Sequence, residues 1–317
     1  MSAAPPSASN SPASSDSPGK APTEVLVVDL PFATKISSGK VRELFELGDD
    51  LLIVTTDRIS AFDVVMNEGI PGKGIVLTGL SAFWFHLTRD LCDNHLLSTD
   101  VDAWDDVPAE YKDILRGRTM RCRKASVLPI EWIVRGYLTG SGYKDYLATS
   151  SVSGVALPPG LQHASRIEPA ILTPSTKAEQ GEHDEAISFE RVTELLGAEI
   201  ANRCRDIALA LYTRGRDYAE QKGFVIADTK FELGCIGDRV VLIDECLTPD
   251  SSRFWRKEDV APGTKPESFD KQVVRDYLDS LDWNKKAPPP PLPLEIRTAA
   301  SNQYVKIFEA LTGRKPW

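Results

Sequence analysis

The chain has 317 residues, 46 acidic against 37 basic, with a formal charge of -9. That balance argues against general binding to nucleic acid or an anionic membrane, so any anionic substrate must meet a local basic cluster. The length allows a large core in two lobes, and no apolar run approaches the roughly 18–20 residues of a membrane span. The five cysteines, in no CxxC or Cys/His spacing, point to reduced thiols in the cytoplasm.

Residues 1–22 are rich in Ser, Ala and Pro, with Lys20 the only basic side chain, a composition that predicts a disordered tail. Ser38 to Val65 reads as a hairpin with Gly48-Asp49-Asp50 as its turn and LLIVTT as a buried strand. Strand alternation puts Lys40 and Arg42 on one face of its first strand and Val41 and Phe45 on the other. The Ser37-Ser38-Gly39-Lys40 turn can lay backbone amides and those two cations over phosphates, although it matches neither a Walker A loop nor GxGxxG.

Residues 79–97 predict an amphipathic helix through Leu80, Phe83, Trp84, Leu87 and Leu91. VLPIEWIVRGYLTGSGYKDY predicts a strand, a glycine-rich loop and a short helix. Within that loop Arg135 offers a planar fork suited to phosphate, and Ser141 a hydroxyl near a helix start. Residues 149–186, polar and punctuated by Pro and Gly, read as irregular. A helical region begins at Ser188 and carries an apolar stripe through Ile200, Cys204, Ile207, Leu211 and Tyr218; Gly223 is its cap. The proline-rich connector starting at Ala287 leads to a final helix from about Glu295 to Gly313.

The segment Gly223 to Trp255 is the most informative. FVIAD and VVLIDE predict two strands, with Asp228, Lys230 and Glu232 on one face and Val225, Ala227, Phe231 and Leu233 on the other. A three-residue loop, Gly237-Asp238-Arg239, sets Glu232 directly opposite Asp244; a two-residue loop sends Asp244 to the other face. Facing carboxylates repel unless a cation lies between them, and Mg²⁺ takes one or two carboxylates plus substrate phosphates. The four histidines sit in no HExxH pattern and are expected to be surface or core residues. Beyond the hairpin, Arg253 follows hydroxyls and an acid in TPDSSRFW. Two arginine loops plus a metal hairpin imply two phosphorylated ligands, such as ATP and a sugar phosphate.

SGKVREL, TTDRISAFD, LPIEWIVRGYLTGSG, TPSTKAE with GEHDEAIS, GFVIADTKFELG and IDECLTPDSSRFW, in that order, resemble the SAICAR synthetase (phosphoribosylaminoimidazole-succinocarboxamide synthase) family. The likeness runs from about Phe32 to the C-terminal helix. It implies an α+β fold, a small antiparallel-sheet lobe plus a larger α/β lobe with ATP between them, as in kinases and ATP-grasp enzymes. The division expected is a tail over 1–22, an ATP-binding lobe over 23–125, a catalytic lobe over 126–286 and a connector with helix over 287–317. The activity implied is ATP-dependent joining of carboxyaminoimidazole ribonucleotide (CAIR) to L-aspartate through an acyl phosphate in purine biosynthesis.

On matching positions, the resemblance implies that Lys40 and Arg42 lie over the ATP phosphates, that Lys230 contacts the nucleotide and that Glu232 and Asp244 hold Mg²⁺. Arg135, Ser141 and Arg253 resemble binders of the ribonucleotide phosphate and its surroundings. Asp57 matches an acid at the imidazole, and Lys177, Glu179 and Asp184 fall in the TPSTKAE and HDE segments. Asp57 and Asp184 are both open as acceptor of the aspartate amine's proton. A small-molecule kinase would share these motifs but make a stable phosphorylated product. A silent nucleotide sensor would lack one of Lys230, Glu232 or Asp244, and all three are present.

Overall fold

The computed structural model describes residues 22–177 and 185–317. Glu179 and Asp184 lie outside the described residues. The first half of the chain forms β1 (Thr34–Ser38), β2 (Arg42–Leu47), β3 (Asp50–Thr55), β4 (Arg58–Ala61), β5 (Val64–Gly69), α1 (Lys73–Leu87), β6 (Leu96–Ser98), α2 (Ala109–Leu115) and β7 (Thr119–Arg123). There follow β8 (Ser126–Tyr137), α3 (Gly140–Thr149), β9 (Ser151–Val152), β10 (Val155–Ala156), β11 (Arg166–Leu172), β12 (Ser175–Thr176), α4 (Phe189–Leu196) and α5 (Ala198–Gln221). The chain ends with β13 (Phe224–Ile236), β14 (Arg239–Ile243), β15 (Ser252–Arg256), α6 (Gln272–Asp279) and α7 (Leu294–Thr312).

Two antiparallel sheets organise the molecule: a five-stranded one in the order β1-β2-β3-β7-β6, and a six-stranded one built on β11-β8-β13-β14, with β12 on β8 and β15 on β13. Strands and helices are therefore segregated into layers, the α+β arrangement expected, with α5 packed on β8 and β13. Trp84 of α1, Trp132 of β8, Tyr212 of α5, Phe231 of β13 and Tyr304 of α7 are all buried in one core that joins both sheets. Val28, Phe45, Leu52 and Trp104 form a second cluster on the other face of the five-stranded sheet.

Local chemistry moves several predicted boundaries. The helix expected over 79–97 starts at Lys73 and ends at Leu87, so Leu91 falls beyond it. Its start is set by Gly72 at φ 76°, and the Gly74 amide at the helix end donates to the buried Asp57 carboxylate. The expected irregular stretch over 149–186 contains β11, a strand on the edge of the larger sheet, because Ile167 and Leu172 have apolar surface to bury. The helical region after Ser188 is two helices, α4 capped by the Ser188 hydroxyl and α5 restarted after Gly197 at φ 81°.

In β13 the expected two-faced pattern changes midway. Val225 and Ala227 pack with Tyr137 and Trp255, whereas Phe231 and Leu233 enter the main core. A register irregularity against β15 between Ile226 and Thr229 makes that switch, re-aiming the side chains that follow it.

Candidate active site

A cleft of about 500 Å³ opens between the two sheets. Leu44, Leu51, Ile53 and Val127 give it an apolar wall, and Arg42, Lys230, Glu232, Asp244, Asp250 and Lys271 a charged one. The strands order these groups. Along β2 the lining passes from Arg42 to Leu44, and along the paired β13 and β8 from Glu232, opposite Glu131, to Gly234, opposite Val127. One end thus offers apolar surface to a flat ring, and the other offers cations to an anion.

The hairpin resolves the open question of register. Its loop has two residues, Gly237 at φ 58° and Asp238, so Glu232 pairs with Ile243 and not with Asp244. Continued as a strand, Asp244 would face away from Glu232. Instead β14 stops at Ile243 and Asp244 takes φ 63°, a left-handed turn of the backbone. Both carboxylates line the same cleft as a result. The residue directly across from Glu232 is Glu131, on β8.

Cations interleave these acids. The Arg42 guanidinium lies 3.0 Å from Asp244 and 2.9 Å from Glu245. Lys230 pairs with Glu131 at 2.5 Å, and Lys177 with Glu232 at 2.6 Å. Burial, with Glu232 and Glu245 nearby, pushes the Asp244 carboxyl up to about 7 against the pull of Arg42. Burial also opposes the Lys230 ammonium, but Glu131, Glu232 and Asp244 outweigh it and raise its proton affinity. Lys40 lines the cleft mouth, its ammonium 3.5 Å from Asp63.

A second cluster shares the same face of β13. Arg135, 8 % exposed, donates to Asp228 at 2.8 Å, to Thr173 at 3.0 Å and to Ser141 at 3.3 Å. Arg253 reaches the same Asp228 oxygen at 3.1 Å. Burial and the neighbouring Arg253 lower the proton affinity of Arg135, while Asp228 sustains it. Thus Arg135 and Ser141 of one segment and Arg253 of another meet around Asp228. Asp228 and Glu232 are four residues apart on β13, about 13 Å at ~3.3 Å per residue, so the two loci can hold two phosphorylated ligands side by side.

Asp57 departs from its expected contact with the substrate. It is fully buried and absent from the cleft lining. Its Oδ1 accepts from the Gly74 amide and its Oδ2 from the Val25 amide, each at 2.8 Å, with Arg118 3.1 Å away. This carboxylate anchors the start of α1, and the geometry withdraws it as acceptor of an amine's proton. Conversely, Glu131, Glu245, Asp250 and Lys271 were not singled out in the sequence. Glu131 left a signal, a lone acid inside the apolar run LPIEWIV; Lys271 left none.

An apolar slot continuous with a bed of cations and carboxylates, beside a separate arginine locus, defines an enzyme that brings a nucleotide and a second anionic substrate together between two lobes. The SAICAR synthetase family model matches residues 35–290. The phosphoribosylaminoimidazole-succinocarboxamide synthase of Geobacter metallireducens is 54 % identical over 293 residues, covering 92 % of this chain and 98 % of that protein. The SAICAR synthase of Saccharomyces cerevisiae, solved in complex with SAICAR, superposes with a TM-score of 0.86 at 39 % identity, covering 92 % of this chain and 99 % of that one. A SAICAR synthetase in complex with ADP shares the fold, with a TM-score of 0.64 at 23 % identity over 89 % of this chain and 99 % of that one. The chain belongs to the SAICAR synthetase family, the ATP-dependent carbon–nitrogen ligases that join CAIR to L-aspartate in purine biosynthesis.

Proposed function

We propose that the inter-sheet cleft carries out this ligation with ATP along the apolar wall and CAIR at the Arg135 locus. What carries the reading is the shared face of β13, on which Asp228 belongs to the arginine cluster and Lys230 and Glu232 to the cleft. Lys40, Arg42 and Lys230 neutralise the ATP phosphates. Arg135, Arg253 and Ser141 hold the ribonucleotide phosphate and its surroundings, with Asp228 fixing both guanidiniums. Five free thiols support a cytoplasmic setting, and among the described residues no helix is long and apolar enough to cross a membrane.

The donor set also fits Mg²⁺. Among the described residues no three acidic, histidine or cysteine side chains form a closed metal cage, but Mg²⁺ is usually bound by one or two carboxylates plus substrate phosphates. Glu232 and Asp244 are that pair, and burial, with Glu232 and Glu245 nearby, raises the proton affinity of Asp244, a cost to its ionised form that a divalent cation would relieve. When bound there, the ion supplies charge neutralisation for the transferred phosphoryl group.

A carboxylate condenses poorly with an amine because its oxygen is a poor leaving group. Phosphorylation by ATP gives an acyl phosphate and ADP; the aspartate amine attacks its acyl carbon, expels inorganic phosphate and loses a proton, leaving the amide. The protein's task is then positioning and electrostatic stabilisation. Heavy oxygen placed in the CAIR carboxylate tests this directly, since one labelled atom should leave with inorganic phosphate per turnover. Unlabelled phosphate during confirmed SAICAR synthesis overturns the acyl-phosphate route.

A further inference from the structure

Behind the Arg135 locus stands a histidine that none of the roles above uses. Thr139 is the N-cap of α3, where a threonine hydroxyl ordinarily accepts from an amide of its own helix's first turn. Here it makes no such bond. Its oxygen lies instead 3.0 Å from Nε2 of His163, and Nδ1 of the same ring lies 2.7 Å from the Thr264 carbonyl. A carbonyl only accepts, so Nδ1 carries the proton, and in the neutral ring Nε2 is then the acceptor for the Thr139 hydroxyl. The imidazole packs edge-on to Tyr143 of α3, centroids 5.3 Å apart, and lies 6.4 Å from the ring of Trp255 on β15.

These contacts join the two segments that form the locus. Thr139 leads into Gly140 and Ser141, whose hydroxyl accepts from Arg135, and Trp255 follows Arg253 by two residues. Gly140, at φ 57°, lies under the Arg253 guanidinium, since a Cβ there would come 2.4 Å from Nη1. The backbone around the histidine is held on both sides. The Leu138 amide donates to the Ser165 carbonyl and the Ala164 amide to the Leu138 carbonyl, each at 2.9 Å, while the Gly263 amide donates to the His163 carbonyl at 2.7 Å. The ring is therefore fixed at its Thr264 end, and its other nitrogen sets where Thr139 begins α3.

We propose that His163 is a positioning residue for the ribonucleotide substrate: by drawing the Thr139 hydroxyl away from its own helix, it keeps Gly140 and Ser141 in place against Arg253 and Arg135. It touches no reacting atom. The assignment deepens the ligase reading and rests on CAIR lying at the Arg135 locus.

The ring's two hydrogen bonds can be removed one at a time. A glutamine amide reaches about as far as Nε2 and keeps Thr139, whereas an asparagine amide reaches only as far as Nδ1 and keeps Thr264. Initial rates with each substrate varied in turn test the role in His163→Gln, His163→Asn, Thr139→Val and the variant combining His163→Asn with Thr139→Val, with Arg135→Ala alongside. His163→Asn and Thr139→Val should each raise KM for CAIR roughly 5–10-fold, while kcat and the KM for ATP and L-aspartate stay within about 2-fold. His163→Gln should stay within about 2-fold of the parent throughout. The combined variant should be no worse than the worse single one, because both changes remove the same bond. An unchanged CAIR KM in either His163→Asn or Thr139→Val, equal losses in His163→Gln and His163→Asn, multiplied effects in the combined variant, or equal rises for all three substrates each overturn the role. A large rise in Arg135→Ala beside a normal His163→Asn removes His163 alone; an unaltered CAIR KM in Arg135→Ala removes the locus, and the positioning role with it.

Discussion

At the scale of the residue, burial decides which ionisable groups are tools and which are supports. His95 lies just before β6, its amide donating to the Leu242 carbonyl of β14, is 2 % exposed, and burial pushes its imidazole down to about 4 from an ordinary 6.5, with the backbone of Asp244 pulling the other way. The unfolded chain therefore takes up a proton below about pH 6.5 that the folded chain refuses until about 4. Its stabilising contribution is complete above pH 6.5 and is lost as pH falls through that window, by about 3 kcal/mol at 1.36 kcal/mol per unit. Urea unfolding of His95→Gln should show a shallower acid decline than the parent between pH 6.5 and 4. Parallel curves would contradict this account. Arg135 is a tool by the same reasoning, because its fork already spans Asp228, Thr173 and Ser141. Arg135→Ala should raise KM for CAIR far more than KM for ATP, and Arg135→Lys should rescue little, since an ammonium lacks the fork. The reverse ranking would assign that cluster to the nucleotide. That Arg135, Ser141 and Arg253 belong together was legible in the sequence, where arginines beside glycines and hydroxyls are distinctive, and the three meet around Asp228. Asp57 was misread because a fully buried acid capping a helix from another segment looks, in sequence, like any acid in a motif.

At the scale of the element, the β13–β14 hairpin shows how a one-residue register difference is absorbed. The sequence contains both the two-residue and the three-residue loop, since Gly237-Asp238 satisfies either, and only the paired backbone distinguishes them. That both strands of the hairpin carry an acid was legible in the sequence, yet the geometry that brings Asp244 into the cleft beside Glu232, a left-handed residue ending the strand, was not. Such a conformation at a residue other than glycine is itself costly and is found where surrounding structure imposes it. The turn offers a clean test. Gly237 adopts φ 58° with open space around its Cα, so a methyl group there meets backbone strain alone. Gly237→Ala should destabilise the fold by about 1–2 kcal/mol in urea unfolding while leaving KM for all three substrates unaltered. A neutral effect would mean that the turn relaxes to another geometry at no cost.

At the scale of the whole molecule, the termini close the structure from two sides. α7 buries Tyr304, Ile307 and Leu311 in the core shared by both sheets, so the last helix supports the cleft through Asp250 as well as covering the core. The segment just after the Ser/Ala/Pro-rich tail works from the other end. Glu24 pairs with Arg297 of α7 at 2.6 Å and accepts from the Gly69 amide at 2.9 Å. The Val25 amide donates to Asp57, and Arg58 donates to the Leu26 carbonyl at 2.6 Å. None of this was legible in the sequence, because Thr23 to Val27 shows neither helical nor strand periodicity and its partners lie tens to hundreds of residues away.

Two truncations separate the tail from this strap. Removing residues 1–21 takes away a stretch with little apolar surface to dock, and melting temperature and kinetics should be unchanged. Removing residues 1–27 takes the Val25 amide from the buried Asp57 carboxylate, which keeps Arg118, and leaves the Asp57 amide without the Val25 carbonyl and Arg297 without Glu24. An unsatisfied buried polar group alone costs about 1–3 kcal/mol, so the longer truncation should lose at least ~3 kcal/mol in urea unfolding once the ion pair and the Gly69 and Arg58 contacts are included. Equal stability of the two truncated forms would show that the strap rests on the surface without supporting α1.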